Sequence, residues 1–307
     1  MTFGEHVFLY CERGTDTALL AEPINALSNL AFLFAALTGL QLVLWRPREE
    51  RDADHFLLVG LVFLVGLGSL ALHLLSTQGT ELLDVVPIGV FMLVYLGFAL
   101  NRFLGVPAGF TVLFVIGFTA IMAMTVQVRC WDGGVGIPGP EVGGVKPCLN
   151  GSVFYLPALV ALIVVGLLAE ERRHRAAPYL LWTAAIFAVS ITLRSLDFAL
   201  CDRIVIEGRK VGTHFAWHML NALALFLLLR ASLDGGPSPA SRAETAPPSE
   251  EPRKAPTELP VAAPPASAQA SPPPKPLAER VAAATEDAAK EDAGAEEEPK
   301  PKLLFPA

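Results

Sequence analysis

The sequence predicts an all-α integral membrane protein, a seven-transmembrane-helix bundle followed by a disordered C-terminal tail. Seven apolar segments, at approximately 23–45, 56–76, 82–102, 108–128, 152–170, 178–200 and 213–231, are each long enough to cross a bilayer, whose hydrocarbon core needs roughly 20 helical residues. Leu, Val, Ala, Phe and Gly dominate them, and Pro23, Pro107 and Pro178 sit near helix starts, where a missing N–H costs little. Residues 233–307 differ sharply in composition, with 16 of the 25 prolines, much Ala, Ser and Glu, and almost no aromatics. Such a segment buries too little apolar surface to offset its ordering entropy. The chain therefore divides into an N-terminal outer-face segment (1–22), a membrane domain (23–232) and a disordered tail (233–307).

Charge follows the same division. The tail carries 8 basic and 13 acidic residues, which is most of the formal net charge of −7. The membrane domain is nearly neutral, and no basic patch points to nucleic acid. The N-terminal stretch MTFGEHVFLYCERGTD lacks a basic region followed by an apolar run, so the first helix is expected to act as the targeting signal.

Orientation is read from Lys and Arg in the loops. With the N-terminus outside, the inner face receives Arg46, Arg48, Arg51, Arg102, Arg172, Arg173, Arg175 and Arg230. The outer face receives Arg13, Arg129, Lys146, Arg203, Arg209 and Lys210. Cys11, Cys130, Cys148 and Cys201 all fall on that outer face, as disulfides in a non-cytosolic compartment would. Cys130 and Cys148 bracket one loop, and a Cys11–Cys201 bond would tie the N-terminal segment to the loop before the last helix. Four cysteines permit three pairings, and sequence does not choose among them.

The chemistry is concentrated in five polar residues inside apolar helices: Ser69, His73, Asp84, His214 and His218. Helix parity puts the end of the second span and the starts of the third and seventh on one membrane face. Ser69 and His73 are spaced i,i+4, as are His214 and His218, so each pair shares a helix side. Ionisable groups are costly in hydrocarbon, and a convergent set of them marks a functional site. Three imidazoles with a carboxylate and a hydroxyl suit a catalytic zinc with one open position. Taken singly, each residue has a plainer explanation: Ser69 as a small packing residue, Asp84 as a helix-start carboxylate. Trp217 is expected in the interfacial aromatic belt, and His6, His55 and His174 in solvated loops. Arg194 and Asp197, spaced i,i+3 near the end of the sixth span, are expected either to neutralise one another or to support the site or a lipid headgroup. Asn25, Asn29 and Asn221 either bridge helices or support the site.

These residues resemble the alkaline ceramidase family, seven-helix membrane amidases in the superfamily of the adiponectin and progestin receptors. The likeness covers about residues 10–230. It is carried by Tyr10-Cys11-Glu12, Ala21-Glu22-Pro23-Ile24-Asn25, Ser28-Asn29, Gly68-Ser69 with His73, Leu83-Asp84 with Pro87, and His214-Phe215-Ala216-Trp217-His218. The resemblance implies zinc on His73, His214 and His218, with Ser69 and Asp84 beside it, and hydrolysis of a membrane lipid amide such as ceramide. It also implies calcium near the N-terminal Cys-Glu segment. Glu12 and Glu22 match that pattern and Asp16 is a substitute oxygen donor, but Leu9 and Tyr10 replace an Asp-Trp pair and the spacing between the two glutamates differs. Val85 stands where the family often has Glu. The rival readings are a receptor of the adiponectin or progestin type, which keeps its N-terminus in the cytosol, and a lipid ester hydrolase with the same zinc residues. A rhodopsin-like pigment fails because the seventh span has no lysine. The tail and short loops have a bacterial character, and no protein partner is expected.

Overall fold

A computed structural model describes residues 3–128, 130 and 148–235. Its helices are α1 (Pro23–Ser28), α2 (Leu30–Leu44), α3 (Ala53–Leu75), α4 (Gln78–Arg102), α5 (Ala108–Thr125), α6 (Leu156–Glu171), α7 (Ala177–Leu196) and α8 (His214–Asp234). Counting α1 with α2, and a 3-10 turn at Leu149–Tyr155 with α6, these give seven helices long and apolar enough to cross a membrane. The protein is thus built as a multi-pass membrane protein. Most of the expected tail lies outside the described residues. Its first residues do not start a tail, because α8 runs on to Asp234 with Leu233 buried.

Neighbours in sequence pack together, and α8 closes the ring against α2 while also touching α1, α3 and α7. The core runs through this interior: Phe32, Leu58, Val62, Leu180 and Leu229 are almost fully buried. Outward positions such as Phe34, Leu37, Phe110, Leu113, Val160 and Trp182 stay exposed and apolar, a surface suited to acyl chains and not to water.

Three local features shape the end of the bundle that holds the polar residues. The first span breaks at Asn29 because the side chains of Ser28 and Asn29 both donate to the Asn25 carbonyl, at 2.7 and 2.9 Å. Such side-chain donors compete with the helix ladder. Next, α4 begins four residues earlier than hydropathy suggests, at Gln78, on a capping box between Thr77 and Thr80. Finally, Pro87 lies inside α4 and offers no N–H to the Leu83 carbonyl. The Leu83 carbonyl faces Gly68 of α3, where any Cβ would collide with it. The glycine permits the backbone contact that brings Ser69 against Asp84.

The N-terminal segment covers the same end. Val7 donates its N–H to the Ser76 carbonyl at 2.9 Å, the Ser76 hydroxyl donates back to the Val7 carbonyl at 2.5 Å, and the Gln78 N–H reaches the Glu5 carbonyl at 3.0 Å. A short hairpin between α7 and α8 pairs Val205–Ile206 with Arg209–Lys210 through Glu207 and Gly208, both at positive φ, as a two-residue hairpin turn of the favoured hand requires. Disulfides join Cys11 to Cys201 and Cys130 to Cys148, one of the three pairings the sequence permits.

Candidate metal centre

His73 lies in the last turn of α3, and His214 and His218 lie in the first turns of α8, so the crossing of these helices brings all three imidazoles together, tilted or edge-on to one another. They are at most 1 % exposed. Each offers a nitrogen within 4.8 Å of the others, and the Nε2 atoms of His73 and His218 lie 3.2 Å apart. Two nitrogens at ~2.0 Å from a tetrahedral zinc stand about 3.3 Å apart.

The surroundings also fix the tautomers a metal needs. The His73 Nδ1 is 2.6 Å from Oε2 of Glu22. Burial opposes ionisation of Glu22, but its contacts with His73, Asn25 and Arg13 outweigh that and hold its pKa below the usual carboxylate value. A carboxylate only accepts, so Nδ1 of His73 carries the proton and Nε2 faces the centre with its lone pair. The His218 Nδ1 lies 2.7 Å from the Ser28 hydroxyl, whose own proton goes to the Asn25 carbonyl. That hydroxyl must accept, which leaves the His218 Nε2 lone pair free as well. His214 stacks on Tyr10 with ring centroids 3.6 Å apart, and its buried Nδ1 has no hydrogen-bond partner. Three buried, converging imidazoles fit a zinc ion.

Asp84 lies in α4, buried, with an unpartnered Oδ1. Ser69, His73 and Arg194 are the groups acting on its carboxyl. It lines a cavity of about 380 Å³ with Tyr10, Asn150, Tyr155 and Arg194. Burial pushes the Tyr10 phenol far above its usual value, so it stays neutral. Tyr155 also lines a second, almost wholly apolar cavity deeper in the bundle, among Phe91, Tyr95, Phe118, Phe187 and Leu225.

Arg194 and Asp197 do not pair with each other. The Arg194 guanidinium sits among the rings of Tyr10, Tyr155 and Trp217 at 5.9, 5.4 and 5.7 Å, and donates to the Asn150 carbonyl. Asp197, at the end of α7, instead accepts the backbone N–H groups of Cys11, Thr213 and His214 at 2.8, 2.8 and 2.9 Å. Burial nonetheless raises its pKa against those donors. It caps the start of α8 and tethers the disulfide-linked segment. Two further expectations are corrected. Trp217 is 3 % exposed and packs on Tyr155 and Phe187, because its side of α8 faces the core and not the lipid. His55 belongs to α3, is buried, and has its Nε2 3.2 Å from the Ser232 carbonyl. Beside it, Asp52 and Asp54 could join a second metal group, but both carboxylates already accept from Arg102.

The residues expected to hold calcium do not form a donor set. Both oxygens of Glu12 accept N–H groups, from Ile24 at 2.9 Å and Asn25 at 2.8 Å, and burial raises its pKa despite them. Asp16 is exposed and caps the Ala18 N–H at 2.8 Å. Glu22 is committed to His73, Asn25 and Arg13, with the Arg13 Nε 2.5 Å from its Oε1. A guanidinium stands where a cation would, so the residues present do not fit calcium. The sequence shows Arg13 only as a loop charge and Ser28 only as part of a shared motif, and the i,i+3 spacing of Ser28 from Asn25 is the signal for its role.

No curated protein matches the chain. The family model described as Ceramidase matches residues 9–233, nearly the whole described bundle and every residue of the candidate centre, and the chain belongs to that family.

Proposed function

We propose that the protein is a zinc-dependent intramembrane hydrolase that cleaves the amide bond of ceramide or a related lipid amide, giving a sphingoid base and a fatty acid. The observation that carries this reading is the cluster of three buried imidazoles beside an Asp84 with an unpartnered Oδ1, which lines a cavity that shares Tyr155 with an apolar one. His73, His214 and His218 would hold a zinc ion, which when bound would supply Lewis acidity towards a water and the amide carbonyl.

The remaining work falls to the chain itself. Asp84 Oδ1 takes the proton of the attacking water and passes it to the departing amine, as base and then acid. The Ser69 hydroxyl donates to the carbonyl oxygen as charge develops there, stabilising it without bringing a charge of its own. Tyr155, which lines both cavities, turns the lipid from the one that Asp84 and Arg194 line, where the amide lies, into the apolar one, where an acyl chain displaces no water from polar groups. Arg194 faces the polar end of the substrate at the cavity mouth, and Asp197 holds the start of α8 so that His214 keeps its aim. The N-terminus and the site occupy the non-cytosolic side of a cell membrane of bacterial type, with the tail in the cytosol. The Cys11-Glu12 and Glu22-Pro23-Ile24-Asn25 signatures favour this reading over a receptor of the same superfamily, which would share the zinc residues and keep its N-terminus in the cytosol.

Purified protein incubated with ceramides, acyl-homoserine lipids and glycerolipids tests the reading. Fatty acid released from ceramides, and lost with a zinc chelator, is expected. Release from the glycerolipids alone would make the protein an ester hydrolase.

A further inference from the structure

The Arg13 guanidinium is enclosed on all sides, with its side chain 0 % exposed. Besides Glu22 Oε1 at 2.5 Å, it donates through Nη1 to the carbonyls of Asp16 at 3.1 Å and Ala18 at 3.0 Å. Through Nη2 it donates to the carbonyls of His73 at 2.8 Å and Leu74 at 3.4 Å. One carboxylate and four peptide carbonyls, drawn from the 16–18 loop, the residue before α1 and the last turn of α3, thus converge on one positive centre. The α3 carbonyls carry the negative end of a helix and have no partner within it. A donor set of carboxylate and carbonyl oxygens alone is the chemistry of a hard divalent cation. Here a side chain that is always protonated occupies it.

We propose that Arg13 is a built-in replacement for a divalent cation, so that the protein assembles this corner of the site without calcium. The guanidinium neutralises Glu22 and links the N-terminal segment to the end of α3. It thereby holds Glu22 in place to orient His73, which makes Arg13 a positioning residue. A calcium ion in the same cage would meet a fixed positive charge and oxygens already engaged. The proposal does not depend on which lipid is cleaved, and its test reads calcium binding and folding, not turnover.

The experiment uses the full chain in detergent, with zinc content followed throughout, and measures binding of radiolabelled calcium and the melting temperature with calcium or with a calcium-selective chelator. The wild type should retain no calcium, and neither calcium nor the chelator should move its melting temperature. Arg13→Ala should melt several degrees lower, because it leaves Glu22 buried without its cation. Millimolar calcium or guanidinium should restore it saturably, whereas potassium at equal ionic strength should not. The double variant Arg13→Ala, Glu22→Gln should lose that response. Stoichiometric calcium on the wild type, or a fall in its melting temperature with the chelator, overturns the proposal, and these measurements decide it even if Arg13→Ala fails to fold. An Arg13→Ala protein that melts lower but ignores both calcium and guanidinium overturns it too, since a merely structural arginine would behave in that way.

Discussion

The Nδ1 of His73 and the Oε2 of Glu22 lie 2.6 Å apart, both all but fully buried, at the base of the histidine cluster. This bond sets which imidazole nitrogen faces the centre, and Glu22 is itself fixed by Arg13 and Asn25. The candidate metal centre is therefore aimed from the N-terminal segment. Glu22→Gln should lower zinc affinity by about 10–100-fold, the usual effect of losing a carboxylate behind a histidine ligand. Competition against a chromophoric chelator measures it, and unchanged affinity would mean that Glu22 serves only the fold.

Gly68→Ala drives a methyl group into the Leu83 carbonyl. The helices must part at the point where Ser69 meets Asp84, at a cost of about 1–3 kcal/mol or more for an overpacked contact. Both melting temperature and turnover should fall. Gly60→Ala, on the same helix but with nothing within 4 Å of the added carbon, is the control and should melt like the wild type. Equal behaviour of the two variants would remove the close approach as an explanation.

Asp84→Asn should cut turnover by about 10²–10⁴-fold, the range expected for a lost general base, with zinc retained because Asp84 is not among the three ligands. Ser69→Ala should cost less, about 10²–10³-fold, as for a single donor to a developing oxyanion. Metal analysis alongside initial rates separates the two effects. Near-normal turnover in Asp84→Asn would move the proton transfer to another residue.

Non-reducing peptide mapping should recover Cys11 joined to Cys201. Cys11 donates its N–H to Asp197, the carboxylate that also caps α8. The Cys11→Ser, Cys201→Ser double variant should accordingly lose about 2–4 kcal/mol of stability, together with the Tyr10 stack on His214. Four free thiols in freshly isolated membranes would contradict the pairing and place this face in the cytosol.

The seven spans were legible because an apolar run of bilayer length has few other uses. The histidine cluster was legible because i,i+4 spacing and helix parity together fix side and depth. Hydropathy could not see the start of α4, where a capping box extends the helix through the polar residues Gln78, Thr80 and Glu81. Of the two readings of Arg194 and Asp197, the mutual ion pair is not formed. Spacing of i,i+3 allows contact but does not impose it, and here three backbone N–H groups from Cys11, Thr213 and His214 hold the Asp197 carboxylate while aromatic rings hold Arg194. Arg13 was illegible, since its four carbonyl partners belong to the backbone and have no signature in the side-chain sequence.

The central claim is that the cluster of His73, His214, His218 and Asp84 directs water onto a lipid amide. Its most direct test is mass spectrometry of the fatty acid released from ceramide in water enriched in heavy oxygen, using purified wild type and His218→Ala. The account predicts one heavy oxygen in each fatty acid released by the wild type, equimolar sphingoid base, and no product from the variant. Undiminished release by His218→Ala, or no release by wild-type protein shown to contain zinc, would contradict it.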